Sequence, residues 1–98
     1  MERFEARLKE SVPTLVVFVH AGAQDAVDVK LKAESLRAKL GDKIHVMRVD
    51  CSYNGELKER YHIDHYPTWI LFKEGQELMR EAGDKPEADL LEMIKTAL

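Results

Sequence analysis

A dithiol–disulfide cycle needs one thiolate to attack and a second thiol to resolve the mixed disulfide. This chain holds a single cysteine, Cys51, so it cannot run that cycle within itself. Asp50 directly precedes the thiol, and its charge disfavours a thiolate. Cys51 reads as a small apolar residue with a free thiol. The four histidines form no metal-binding pattern. His62 and His65 stand three apart but flank a strand entry, His20 closes one predicted strand, and His45 lies in another. No Cys/His/Asp set shows ligand spacing, so neither a metal nor a cofactor is expected. No Ser-His-Asp arrangement, paired acid or phosphate-binding glycine loop stands out. Asp25, near a predicted helix start, should interact with the helix dipole and disfavour an anionic ligand there.

The elements that position these residues follow from the pattern. Residues 3–10 carry Phe4 and Leu8 at helical spacing and stop before Ser11, Val12 and Pro13. The run Thr14–Val19 is β-branched and aromatic throughout, as in a strand buried on both faces. A loop from His20 to Asp25 leads into a helix carrying Leu31, Leu36 and Leu40, which Gly41-Asp42 ends. A second strand spans Ile44 to Val49, and a short helix runs from about Asn54 to Tyr61 with Leu57 and Tyr61 on one face. A third buried strand spans Pro67 to Phe72. The tight turn Lys73–Gln76 returns the chain antiparallel into a fourth strand, Glu77 to Ala82. Asp84-Lys85-Pro86-Glu87 has the form of a capping box. The last helix then presents Leu90, Leu91, Ile94 and Leu98 on one stripe. Trp69, alternating with Thr68 and Ile70 on a covered sheet, belongs to the core.

The order α-β-α-β-α-β-β-α makes strands one and two parallel and the last hairpin antiparallel. The economical packing is an α/β mixed sheet of about four strands with helices on both faces. Ninety-eight residues form one domain, 1–98, large enough for a core without disulfides. The formal charge of −3 argues against nucleic acid or an anionic membrane surface as a partner. No apolar run reaches the length of a membrane span. The charged residues 1–10 do not read as a signal peptide. A cytoplasmic location is expected, in keeping with one cysteine in a reducing compartment.

Tyr66, Pro67, Thr68, Trp69, Ile70, Leu71, Phe72, Lys73, Glu74 and Gly75 resemble the hydrophobic-Pro-Thr strand and Phe-Lys-x-Gly hairpin of the thioredoxin family. Val49-Asp50 before a short helix, and Gly83 near the end of strand four, are similar to the same template from Pro13 to Leu98. The resemblance implies a thioredoxin-like three-layer sandwich whose first edge strand is missing or shortened. The family's Trp-Cys-Gly-Pro-Cys motif falls on Gly22, Ala23, Gln24, Asp25 and Ala26, so both cysteine positions are alanine. Val17 stands where the family carries a buried aspartate, Val46 where its lysine partner lies, and Leu31 where a proline kinks the helix. Cys51 falls away from the Ala23/Ala26 loop on this template.

The resemblance also implies a cis Tyr66–Pro67 bond beside that loop. The backbone before Pro67 would then be available to pair with an extended polypeptide. The leading expectation is a noncatalytic protein- or peptide-binding module, a scaffold or chaperone-like domain. Its contact would centre on Tyr66, Pro67 and the loop Gly22, Ala23, Gln24, Asp25 and Ala26. No catalytic residue is assigned on that expectation. The alternative is a thioredoxin-family thiol-disulfide oxidoreductase of cell redox homeostasis, represented by a cysteine-free natural or engineered variant. A third expectation is redox sensing through Cys51. Oligomeric state has no signal in the sequence.

Overall fold

The computed structural model describes residues 2–21 and 26–98, with the side chains of 4–21 and 28–98. The elements run α1 Glu2–Leu8, β1 Thr14–Val19, α2 Ala26–Leu40, β2 His45–Asp50, α3 Gly55–Arg60, β3 Thr68–Lys73, β4 Gln76–Ala82 and α4 Glu87–Ala97. A short 3₁₀ turn, Gly41–Lys43, links α2 to β2. The four strands form one sheet in the order β2-β1-β3-β4. β1 pairs parallel with β2 and antiparallel with β3, and β3 pairs antiparallel with β4.

Alternation along the strands sends side chains to two cores. Leu15, Val17, Val19, Trp69 and Leu71 pack against α2 and α4 on one face. Val16, Phe18, Ile70 and Phe72 pack with Phe4 and Leu8 of α1 and Leu57 of α3 on the other. Every residue of β1 is buried, which is why its sequence is an unbroken apolar run rather than an alternating one. The result is a three-layer α/β sandwich.

The hairpin from β3 to β4 turns through Glu74 and Gly75, both at positive φ (53° and 81°). Two such residues in a two-residue loop match the twist of the flanking strands. The turn is also tied to the end of α1: Gly75 N–H donates to the Leu8 carbonyl at 2.8 Å and Glu74 N–H to the Glu10 carbonyl at 3.1 Å.

Three expectations change. The Asp84–Glu87 capping box does not form: Pro86 is the N-cap of α4, with no side-chain cap bond. Asp84 instead pairs with Lys32, while Glu87 accepts from Ser35 Oγ at 2.8 Å and pairs with Lys39. Charge-assisted bonds across to α2 hold both carboxylates more strongly than a local backbone N–H would. Leu31 is 59% exposed, because the buried stripe of α2 is Val29, Ala33, Leu36 and Leu40. At about 100° per residue, Leu31 points roughly opposite Val29. Leu98 lies just beyond α4 and is half exposed, leaving Leu90 and Ile94 as the fully buried residues of that helix.

Candidate functional site

The C-terminal end of β1, the C-terminal end of β2 and the entry to β3 converge at one end of the sheet. Two bonds register the first pair: Cys51 N–H donates to the Val19 carbonyl at 2.7 Å, and Ala21 N–H donates to Asp50 Oδ1 at 3.3 Å. Asp50 Oδ1 also accepts from the N–H of Ser52 at 2.9 Å and from the Ser52 hydroxyl. The Ser52 hydroxyl and N–H, then the Ala21 N–H and His20, hold the Asp50 carboxyl below its usual range. Asp50 thus fixes the point at which the chain leaves β1.

The Tyr66–Pro67 peptide bond is cis. Pro67 is buried, and its carbonyl accepts from Gly83 N–H at 2.8 Å, which ties the β3 entry to the end of β4. Thr68 Oγ1 closes the same corner by donating to the His65 carbonyl at 2.6 Å. These bonds leave the backbone N–H and C=O of Tyr66 without a partner among the described residues. The Tyr66 ring is half-buried, with its centroid 5.4 Å from that of His20. Its hydroxyl is sealed from solvent and has no hydrogen-bond partner among the described residues.

Cys51 lies in this cluster. It is at the same end of the sheet as the chain leaving β1, packed with Tyr66 on the α1/α3 face, while the Ala23/Ala26 loop from which it was expected to stand away lies outside the described residues. It is 5% exposed. Burial raises its thiol pKa, and the Asp50 charge adds to that. The nearby Tyr66 hydroxyl offsets part of the rise without hydrogen-bond geometry. Burial likewise raises the Tyr66 phenol. A buried thiol with a raised pKa is a poor nucleophile.

Of the sequence-predicted site residues, the structure places Tyr66 and Pro67 together at this corner. Gly22, Ala23, Gln24 and Asp25 lie outside the described residues. Ala26 is the first residue of α2, and its side chain is likewise outside them. Val17 is fully buried and stands directly opposite Trp69 in the ladder. Val46 belongs to the same apolar core. Neither position offers a group to carry a proton. Among the described residues no cluster of three or more His, Cys, Asp or Glu could hold a metal, and no helix is long and apolar enough to cross a membrane.

The site residues that the sequence reading missed are Asp50 and His20 in their present roles. The Asp50-Cys51-Ser52 spacing was the available signal, since an aspartate often bonds the backbone two residues on. The pairing of His20 with Tyr66 is long-range and had none.

The sheet, its helices and this corner can now be set beside known proteins. The family model Thioredoxin matches residues 2–96. Thioredoxin Y, chloroplastic, of Oryza sativa subsp. japonica is 37% identical over 65 residues, covering 66% of this chain and 39% of that protein. Thioredoxin X, chloroplastic, of Arabidopsis thaliana is 30% identical over 89 residues, covering 89% of this chain and 49% of that protein. The chain thus spans about two fifths to one half of the length of these relatives. Among solved structures, Fasciola hepatica thioredoxin superposes with a TM-score of 0.85 at 23% identity, covering 99% of this chain and 90% of that one. Thioredoxin from Trypanosoma brucei brucei gives 0.88 at 18% identity, covering 98% and 83%. By the family match, which runs through nearly the whole chain, this protein belongs to the thioredoxin family.

Proposed function

We propose that this thioredoxin-family domain is a noncatalytic module that binds an extended polypeptide across Tyr66 and Pro67. The observation that carries the reading is the backbone of Tyr66, without a partner among the described residues, at a corner where Pro67, Thr68 and Asp50 are all fixed by hydrogen bonds. A rigid, unpaired N–H and C=O can accept a strand without any chemistry. The sequence supports the loss of chemistry, since alanines occupy positions 23 and 26 and the one cysteine is Cys51. Gly22, Ala23, Gln24, Asp25 and Ala26 belong to the proposed contact through the family resemblance. So small a contact binds weakly unless a second surface joins it.

The test is an NMR titration with extended peptides. Shifts clustered on Tyr66, Thr68, Asp50 and Cys51, abolished by Tyr66→Asp, support the module. Saturable binding mapped to α4 instead would show that this corner is not the contact. A cytoplasmic location belongs to the same proposal and is checked by fractionation.

The second reading is a thiol-disulfide oxidoreductase of cell redox homeostasis in a cysteine-free form. It is favoured by relatives that carry the thioredoxin name. Cysteine codons at positions 23 and 26 of the natural gene would establish it. Redox sensing through Cys51 is disfavoured by the burial and raised pKa of that thiol.

A further inference from the structure

Among the described residues, β2 has a strand neighbour on one side only. The N–H groups of His45 and Cys51 point towards β1, reaching the Pro13 carbonyl at 2.8 Å and the Val19 carbonyl at 2.7 Å. Residues two apart on a strand face the same neighbour. Val46, Arg48 and Asp50 therefore turn their backbone groups to the open side. Two of their three carbonyls are occupied: Arg37 Nη2 donates to Val46 O at 2.8 Å, and the Asn54 side-chain amide donates to Asp50 O at 2.9 Å. Three N–H donors and one carbonyl, that of Arg48, remain without a described partner. The edge is short of acceptors.

Its surroundings also carry unpaired positive charge. A groove at the start of the edge, reaching Val46 and Met47, is lined by Arg7 of α1, Arg37 of α2, Asp42 and His45. Arg48 is exposed on the strand itself. None of these three arginines is in an ion pair among the described residues. Two carboxylates share the groove end: Asp42 in its lining and Glu10, 3.6 Å from His45. This positive stripe sits on a chain whose overall charge is −3.

We propose that the β2 edge takes an extended acidic polypeptide as an added strand. Its carbonyls accept from Val46, Arg48 and Asp50, and its carboxylates face Arg7 and Arg48. Main-chain bonds supply the affinity and the arginines select the sequence. A second copy of this chain fits less well. The two-fold pairing that engages all three outward residues is centred on Arg48 and sets it against its own copy, a like-charge pair. The surface meets the Tyr66–Pro67 corner only at Asp50, with Val46 and Arg48 reporting the edge alone, and it does not depend on the function proposed there.

The experiment is an NMR titration of the whole chain with a blocked hexapeptide of valine-glutamate-glutamate repeated twice, which sets glutamates on both faces of the added strand, towards Arg7 on the α1 side and Arg48 on the α2 side. The expected result is shifts and slowed amide exchange at Val46, Arg48 and Asp50. Arg48→Glu and Arg7→Glu, both at exposed positions, should each weaken binding about three- to fivefold with the spectrum otherwise folded. Raising salt from about 50 to about 500 mM should weaken it further. Equal binding of the matching valine–lysine peptide would overturn the proposal, as would shifts centred on Tyr66. Concentration-dependent shifts of the same three amides without peptide would assign the edge to self-association and overturn it too.

Discussion

Val17→Asp restores the carboxylate that the family resemblance places at this position, and its cost follows from the burial. Val17 is 0% exposed and belongs to the apolar cluster of Leu15, Val29, Leu36 and Trp69. A carboxyl there should have its pKa raised by about 3–5 units above the unfolded value of about 3.9. It is then neutral in the folded state and ionised in the unfolded state across that window. The unfolded state binds fewer protons, so stability falls as pH rises, by about 1.4 kcal/mol per unit. The total loss reaches roughly 4–7 kcal/mol by the folded pKa, comparable to the whole stability of a small domain. Val17→Asn, which cannot ionise, subtracts the packing cost. Urea unfolding followed by the fluorescence of Trp69, the sole tryptophan and the residue opposite position 17, measures both variants. The Asp-minus-Asn difference should widen steadily from pH 5 to pH 7. Two variants that track each other within about 0.5 kcal/mol over that range would refute the reasoning, since the carboxyl would then be reaching water or a cation.

Cys51, buried and with a raised pKa, should react with iodoacetamide at pH 8 at least about tenfold more slowly than an unfolded cysteine peptide, with urea removing the difference. Equal rates in the folded chain would contradict its burial. Asp50→Ala should speed amide exchange at Ala21 and Ser52, which lose their acceptor. Because the folded carboxyl pKa is lowered, the stabilisation from Asp50 is present above the unfolded pKa and lost as pH falls through the folded one. The Asp50→Ala deficit should therefore shrink in acid, and a deficit unchanged down to pH 2 would show that the bonds do not depend on charge. Leu90→Ala should cost about 2–5 kcal/mol, whereas Leu31→Ala should cost under about 0.5 kcal/mol, by urea unfolding. Similar costs for the two would contradict the assigned faces of α2 and α4.

The parts of the fold that sequence made legible are those fixed by local pattern. The unbroken run of β1, the Glu74-Gly75 turn and the Leu90/Ile94 spacing each follow from residues a few positions apart. What escaped the sequence depends on partners far along the chain. Asp84 and Glu87 have capping-box spacing, but Lys32 and Lys39 lie about fifty residues earlier and take both carboxylates. Leu31 has a neighbour of similar hydrophobicity in Leu36, and only the packing direction of α2 separates the exposed from the buried one. At the site, Tyr66 and Pro67 were legible through the family motif. The contact of Cys51 with Tyr66 and the bond from Ala21 to Asp50 arise where three strand ends meet. No local spacing encodes that meeting.

The proposed noncatalytic role is tested most directly by multiple-turnover reduction of a protein disulfide by this chain, with NADPH and thioredoxin reductase as electron source. Turnover needs an attacking and a resolving thiol, and here positions 23 and 26 are alanine while Cys51 is buried. The predicted rate equals that of the reductase alone, both for the chain and for Cys51→Ala. Turnover above that background, whether it survived Cys51→Ala or vanished with it, would contradict the account.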